Sequence, residues 1–242
     1  MKLFFSFLLL LCSTFTMQAQ PAPKSGHELI TKMYNAHKGK WYSTLLFSQE
    51  VLNYKNDSLV SKDVWHEAYL SPGKLVLKFS TWESGRGVLF ANDSLYTFQE
   101  GKVAGVRYRM HDLIVLGFDV NNIAPALTAE RATKMGYDLS KIAPSVCLGQ
   151  PAWVVGDTTS LCFWVDMESL LFLKMHRGVG ENARDVEFAK YELVEGLPVA
   201  TEIRFYEAAG KLTMVERYFD VRPNAPVDPA VFDPKKFVEA KW

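Results

Sequence analysis

From Ser43 onward, apolar residues recur at every second position over segments that are separated by turn residues. Leu45, Phe47 and Val51, for example, alternate with Ser48 and Glu50. A period of two indicates a strand with one dry and one wet face, and closely spaced turn signals indicate antiparallel hairpins. This alternation constrains the chain to a mainly β fold.

The same pattern repeats along most of the chain and predicts about a dozen strands. Besides the first strand, the segments with this pattern are residues 60–70, 75–80, 88–91, 96–98, 145–148, 152–155, 161–166, 170–177, 185–194, 199–206 and 212–220. The final stretch, residues 223–237, carries four prolines and is predicted to be an extended tail laid on the surface.

Helices are predicted at only a few places. Ser25 and Glu28 form a capping box, so we predict an amphipathic helix over residues 25–38 with Gly39 as its stop. Residues 109–142 interrupt the strand pattern, and short helices are predicted within them at 113–117 and 128–135. The predicted fold is mainly β (α+β). It is a curved antiparallel sheet, or open half-barrel, of about eleven to twelve strands covered by two or three helices. It forms one domain over residues 21–242.

The N-terminal twenty residues resemble a secretory signal peptide. Lys2 precedes an apolar run from Leu3 to Leu11, and Ala19 offers a small residue before the expected cleavage site. A membrane anchor is the alternative, but the run is shorter than the roughly 20 residues that a spanning helix needs. Leu11 precedes Cys12 where a lipoprotein signal would carry a small residue, so lipidation is not expected. We expect a soluble periplasmic product.

Composition narrows the function classes. The chain is 48% hydrophobic with zero formal net charge, which argues against disorder and against nucleic-acid binding.

Cys147 and Cys162 are predicted on two strands that flank a third strand. Two strand spacings are about 9–10 Å, beyond the roughly 7 Å that a disulfide allows between Cα atoms. We predict two free, buried thiols.

No motif for catalysis, nucleotide binding or metal binding is present in the sequence. The five histidines are scattered, and the adjacent pairs His66–Glu67 and His111–Asp112 would point to opposite faces of a strand. We expect a non-catalytic protein without cofactor or metal. A hydrolase that uses His66, His111 or Asp166 is a lesser alternative, and it requires these side chains to converge.

Aromatic residues lie on most predicted strands. They either fill an ordinary core or line a cavity, because a curved sheet of a dozen strands encloses more space than its own side chains readily fill. Strand parity assigns one set to the cavity-facing side as candidate ligand-binding residues: Phe47, Leu77, Phe79, Tyr96, Phe98, Phe163, Phe188, Ile203 and Phe205.

Three segments resemble the periplasmic lipoprotein-carrier (LolA/LolB-like) family. Gly87 to Phe98 looks like the family's strand–turn–strand feature. Gly149 to Val155, followed by Phe163-Trp164-Val165-Asp166 and Leu170-Leu171-Phe172, is similar to its later hairpins, and Val231 to Pro234 fits its C-terminal end. The resemblance covers most of residues 26–237, as a pattern of strands and turns.

The resemblance implies an eleven-stranded half-barrel, closed by helices, that holds lipid acyl chains in an apolar concavity. The family's functional arginine has no assigned equivalent; Arg86, Arg107 and Arg109 are candidates by position. The strand over residues 60–70 departs from the pattern because it is unusually polar and aromatic.

We therefore expect a monomeric, exported binding protein for lipid or lipoprotein acyl chains, similar to lipoprotein-sorting proteins. Envelope membrane proteins are a second class of candidate partner, and no nucleic acid is expected. The alternative is an envelope sensor or protein-interaction module without a lipid ligand.

Overall fold

The computed structural model describes residues 21–242, so the predicted signal peptide lies outside the described residues. Thirteen strands form one antiparallel sheet. Their bounds are β1 Thr44–Lys55, β2 Ser58–Leu70, β3 Lys74–Phe79, β4 Gly87–Ala91, β5 Ser94–Gln99, β6 Lys102–Tyr108, β7 Ile142–Cys147, β8 Gln150–Asp157, β9 Leu161–Asp166, β10 Phe172–Arg177, β11 Arg184–Val194, β12 Leu197–Glu207 and β13 Leu212–Pro223.

The predicted fold class is confirmed, with thirteen strands in place of eleven to twelve. The additional strand is β6, which lies at one edge of the sheet. Most of its residues are exposed, so it carries no apolar alternation that the sequence could reveal.

Strand order explains why helices cover one face. Each strand pairs with its neighbours in sequence, except that β1 also pairs with β13, and β6 and β7 become the two free edges. Residues 109–141 connect these opposite edges and therefore have to cross the sheet. They do so through a π-helix, Ile114–Phe118, a 3₁₀ turn, Asp119–Asn121, and the helix α2, Pro125–Lys134.

The first helix, α1, spans Gly26–His37 and has the predicted N-terminus. The backbone N–H of Glu28 donates to Ser25 Oγ at 3.2 Å, and the Glu28 carboxylate accepts from the backbone N–H of Lys24 at 2.8 Å. Leu29, Ile30 and Met33 are buried in the larger hydrophobic core. None of the helices within residues 21–242 is long and apolar enough to cross a membrane.

Both faces of the sheet are covered over part of their area. The inner face packs against α1, α2 and the connecting segment in the larger core. The outer face of β1–β5 is covered by the C-terminal tail through Val231, Phe232 and Phe237. This corrects the prediction of a tail laid on the surface. The buried ammonium of Lys78, 1% exposed, helps to hold the tail by donating to Ala240 O at 2.6 Å and Val238 O at 3.1 Å.

The two described cysteines are free and buried, as predicted. Cys147 lies on β7 and Cys162 on β9, and β8 pairs with both strands. Burial raises the pKa of the Cys147 thiol to about 11 and that of Cys162 to about 12, so both thiols are protonated and unreactive at neutral pH.

Candidate functional site

An apolar cavity of about 230 Å³ lies between the inner face of the sheet and the start of the connecting segment. Strands on both sides of β1 supply its floor, and residues 111–118, which we call the inner segment, supply its roof. The lining residues are Trp65, Glu67, Leu75, Leu77, Phe79, Val88, Phe90, His111, Leu113, Ile114, Phe118, Phe188, Phe205, Met214, Glu216 and Tyr218.

Three buried polar side chains on the neighbouring strands β2, β1 and β13 form what we call the polar diagonal: Glu67 and Glu216, which line the cavity, and Gln49 between them. On β1, Gln49 pairs with Trp65 of β2 and with Tyr218 of β13, and both of these aromatic residues line the cavity. Side chains of directly paired residues share a face, so Gln49 also lies on the inner face. Glu67 and Glu216 lie two residues from these partners, in opposite directions along β1.

All three groups of the polar diagonal are removed from bulk water. Gln49 is 0%, Glu67 4% and Glu216 9% exposed. Neither polar atom of the Gln49 amide has a well-formed hydrogen bond within the described chain. A buried amide without partners costs about 1–3 kcal/mol, so its retention here calls for an explanation.

Burial dominates the electrostatics of this floor. It raises the pKa of Glu216 to about 8, and the nearby amide of Gln49 opposes this rise only in part. It raises the pKa of Glu67 well above the usual value, with the charge of Glu216 as a second cause. Burial therefore favours the protonated, neutral form of both carboxyls.

The roof carries one titratable group, His111. Burial lowers its pKa to about 4, so the imidazole is neutral at pH 7. The backbone N–H of Leu113 donates to His111 Nδ1 at 3.2 Å, which leaves the proton on Nε2, and the ring meets Phe90 edge-on. Among the described residues no lysine or arginine lines the cavity. The cavity is therefore close to uncharged at neutral pH.

The predicted ligand-binding set divides into three groups in the structure. Leu77, Phe79, Phe188 and Phe205 line the cavity. Phe47, Phe163 and Ile203 lie in the inner core, where Phe47 stacks on the cavity residue Tyr218 with ring centroids 4.1 Å apart. Whether any of these residues contacts a ligand stays a prediction.

Tyr96 and Phe98 form the third group and correct the assigned parity. They lie on the outer face, where the Phe98 ring stacks on Phe237 of the tail with centroids 3.8 Å apart. The inner face of β5 is instead represented by Leu95. Parity alone could not choose the face, because the tail makes the outer face apolar as well.

The three side chains of the hydrolase alternative do not converge. His66 lies on the outer face, stacked on Trp82 and with Nδ1 2.9 Å from Ser48 Oγ. His111 lines the inner cavity. The Asp166 carboxylate accepts from the backbone N–H groups of Glu168 and Ser169, as a turn residue does. Within residues 21–242 no group of three His, Cys, Asp or Glu side chains is arranged to hold a metal.

The arginine candidates also lie away from the cavity. Arg86, Arg107 and Arg109 are exposed, and none of them lines it.

The polar diagonal is the feature that the sequence prediction missed. Its signal was present: a Glu-x-Tyr pattern occurs in β2 as Glu67 and Tyr69 and in β13 as Glu216 and Tyr218. In each case the glutamate lies two residues from a tyrosine, and residues two apart on a strand share a face. The buried face that the tyrosine occupies is therefore also the face of the glutamate.

No protein-family model matches the sequence, and no curated protein matches it significantly. Solved structures do resemble it in fold. A DUF1329 family protein from Desulfovibrio piger is 14% identical with a TM-score of 0.58, over 86% of this chain and 95% of its own. A putative outer membrane lipoprotein-sorting protein domain from Vibrio parahaemolyticus is 15% identical with a TM-score of 0.55, over 87% and 97%.

A LolA superfamily protein from Nitrosomonas europaea is 14% identical with a TM-score of 0.53, over 84% of this chain and 96% of its own. The chain has a LolA-like fold. This confirms the fold that the sequence resemblance implied; at these identities the likeness extends to the fold alone.

Proposed function

We propose that the protein is an exported, periplasmic binding protein that holds an apolar ligand, such as a lipid or lipoprotein acyl chain, in the cavity above the polar diagonal. The single observation that carries this proposal is a largely apolar cavity between the sheet and the inner segment. Lipoprotein sorting is the activity named for one structure of similar fold, and it is the activity that we propose for this chain.

The electrostatics of the cavity support an apolar occupant. Burial favours the neutral form of its two carboxyls, its imidazole is neutral, and no lysine or arginine of residues 21–242 lines it. Burying an alkyl chain contributes about 0.8 kcal/mol per methylene, so even a short chain gains substantial binding energy here.

The size of the cavity sets a condition on uptake. Its volume of about 230 Å³ is below the roughly 300–1,000 Å³ of typical ligand pockets. A complete lipid therefore requires the inner segment to move away from the sheet. That segment includes the π-helix Ile114–Phe118, and such irregular helices frequently occur at functional sites.

Binding of the neutral fluorescent probe N-phenyl-1-naphthylamine tests the proposal. Val88 lines the cavity and is half-buried, so Val88→Trp fills the cavity with an indole ring. The matched control is Val103→Trp on the edge strand β6, where the valine is 47% exposed. We expect saturable binding to the wild type and to the control, and at least tenfold weaker binding to Val88→Trp.

Native mass spectrometry of protein purified from the cell envelope provides the second measurement, and we expect lipid adducts that Val88→Trp lacks. Equal probe affinity in all three proteins, together with an absence of bound lipid, would contradict the proposal. It would favour an interaction module whose inner face is only a packed core.

A further inference from the structure

A second concave site, which we call the outer groove, lies on the outer face of β13, β1 and β2. Its volume is about 510 Å³, within the roughly 300–1,000 Å³ of typical ligand sites. On its floor Ser48 pairs with His66 on one side and with Phe219 on the other, so the three side chains form one row. The floor therefore presents a phenyl ring, a hydroxyl and an imidazole side by side.

One wall of the outer groove is an aromatic corner built from two distant segments. Trp82 stacks on His66 with ring centroids 4.3 Å apart, and Trp242 meets Trp82 edge-on at 4.8 Å. The buried ammonium of Lys78 donates to Trp82 O at 3.4 Å and to Ala240 O at 2.6 Å, so it ties both segments together. Both indole rings nevertheless remain partly exposed. The corner is therefore held in place in the absence of a ligand.

The side of the outer groove formed by β13 carries one acid and one base. The pairing of β13 with β1 shifts between Phe219 and Arg222, and Asp220 within this bulge has a φ of 50°. Such a bulge re-aims a side chain. Within residues 21–242, neither the Asp220 carboxylate nor the Arg222 guanidinium makes a hydrogen bond or an ion pair, and both are exposed. Both charged groups are thus available to a ligand.

This combination of side chains matches the chemistry of a sugar ring. A pyranose has an apolar face of C–H groups, and its hydroxyls both donate and accept hydrogen bonds. Trp242 and Phe219 offer aromatic surface to the C–H face. The Asp220 carboxylate only accepts hydrogen bonds, and the Arg222 guanidinium only donates them, in a planar fork. Together they can satisfy both roles of neighbouring hydroxyls.

Charge and topology argue against other ligand classes. Burial lowers the pKa of His66, so the lining carries one cation, Arg222, and one anion, Asp220, and favours neither an anionic nor a cationic ligand. An acyl chain would cover these two charged groups without bonding to them. An extended peptide could not add to the floor as a strand, because β1 is paired along both of its edges.

We propose that the outer groove binds a neutral pyranose sugar. The ring lies between Phe219 and the corner formed by Trp82 and Trp242, and its hydroxyls bond to Asp220 and Arg222. The outer groove shares no lining residue with the inner cavity, so this inference does not rest on the proposed acyl-chain function.

Saturation-transfer-difference NMR on the full chain tests the site with four neutral disaccharides: cellobiose, maltose, lactose and N,N′-diacetylchitobiose. Sorbitol, a polyol without a ring, is the control probe. We expect saturable binding of at least one disaccharide, with the strongest transfer to its ring C–H protons, and no binding of sorbitol. The constituent monosaccharide then distinguishes two sources of the sugar. Weaker binding than the disaccharide assigns the site to a glycan chain, and equal binding assigns it to a free sugar.

Two variants and one matched control locate the binding. Trp242→Ala removes one ring of the corner, and Asp220→Gly removes the carboxylate while glycine accepts the positive φ. Each should bind the best disaccharide about tenfold more weakly. Asp57→Gly should bind as the wild type does, because Asp57 is also an exposed aspartate with positive φ but lies in the turn between β1 and β2. An unchanged far-UV circular dichroism spectrum shows that each variant is folded.

Binding of none of the four disaccharides would overturn the sugar site. So would wild-type affinity in both Trp242→Ala and Asp220→Gly, or sorbitol binding as tight as that of the best disaccharide. Each of these results would leave the carrier function of the inner cavity standing, because the two sites lie on opposite faces of the sheet.

Discussion

The raised pKa of Glu216 predicts that the protein loses stability as the pH rises through neutrality. The carboxyl titrates at about 8 in the folded chain, against 4.5 ordinarily. Between these values the folded state binds more protons than the unfolded state, so the free energy of unfolding falls with increasing pH. The contribution of Glu216 is complete below pH 4.5 and is lost as the pH passes through about 8.

The magnitude follows from the separation of the two pKa values. Each pH unit between them changes the free energy of unfolding by about 1.4 kcal/mol for one group. A group held at about 8 rather than 4.5 therefore costs about 5 kcal/mol at pH 8 relative to pH 4.5. Glu67 shifts in the same direction and steepens the loss.

Urea unfolding followed by tryptophan fluorescence, at pH 5, 6, 7 and 8, measures this slope. We expect the unfolding midpoint of the wild type to fall steadily over this range. Glu216→Gln should flatten the slope and be the more stable protein at pH 8, and Glu67→Gln/Glu216→Gln should flatten it further. Glu168→Gln, at an exposed turn residue, should leave the slope unchanged. A double variant with the slope of the wild type would refute the assignment of buried, neutral carboxyls.

Three further substitutions test contacts that hold the fold together. Lys78→Met removes the ammonium that holds Ala240 and should cost about 1–3 kcal/mol, with faster cleavage of the C-terminal tail in limited proteolysis. Gly117→Ala would place a Cβ 2.8 Å from two atoms of the Phe188 ring, so overpacking should lower stability by about 1–3 kcal/mol in chemical denaturation. Ser25→Ala removes the N-cap of α1 and should cost about 1 kcal/mol in the same assay. A change below 0.3 kcal/mol in any of these would contradict the corresponding contact.

Local rules predicted those parts of the fold that depend on neighbouring residues in the chain. The capping box at Ser25 located α1, and the Asn-Asp turns at residues 56–57 and 92–93 located two hairpins, where both residues of each turn have positive φ. Capping and turn signals of this kind depend on a few neighbouring residues, so they can be recognised without knowledge of the tertiary structure.

The failures arose where a distant segment decides the environment. Tyr96 and Phe98 were assigned to the wrong face because the tail, more than 100 residues later in the chain, covers the outer side of β5. The edge strand β6 was missed because most of its residues are exposed and carry no alternation. To predict the polar diagonal from sequence, one would have to know that β1 pairs with both β2 and β13. The strands β1 and β13 are the first and the last in the chain, so no local signal reveals that they pair.

The measurement that tests the central claim most directly is fluorescence quenching by a brominated alkyl chain, because heavy-atom quenching reports contact between ligand and tryptophan. Trp65 lines the cavity, whereas Trp82 and Trp242 lie together on the outer face. We expect 1-bromooctane to quench the wild type and Trp82→Phe to the same extent, and Trp65→Phe to lose most of the quenching. Quenching that persists in Trp65→Phe, or that disappears in Trp82→Phe, would place the ligand outside the cavity and contradict the account.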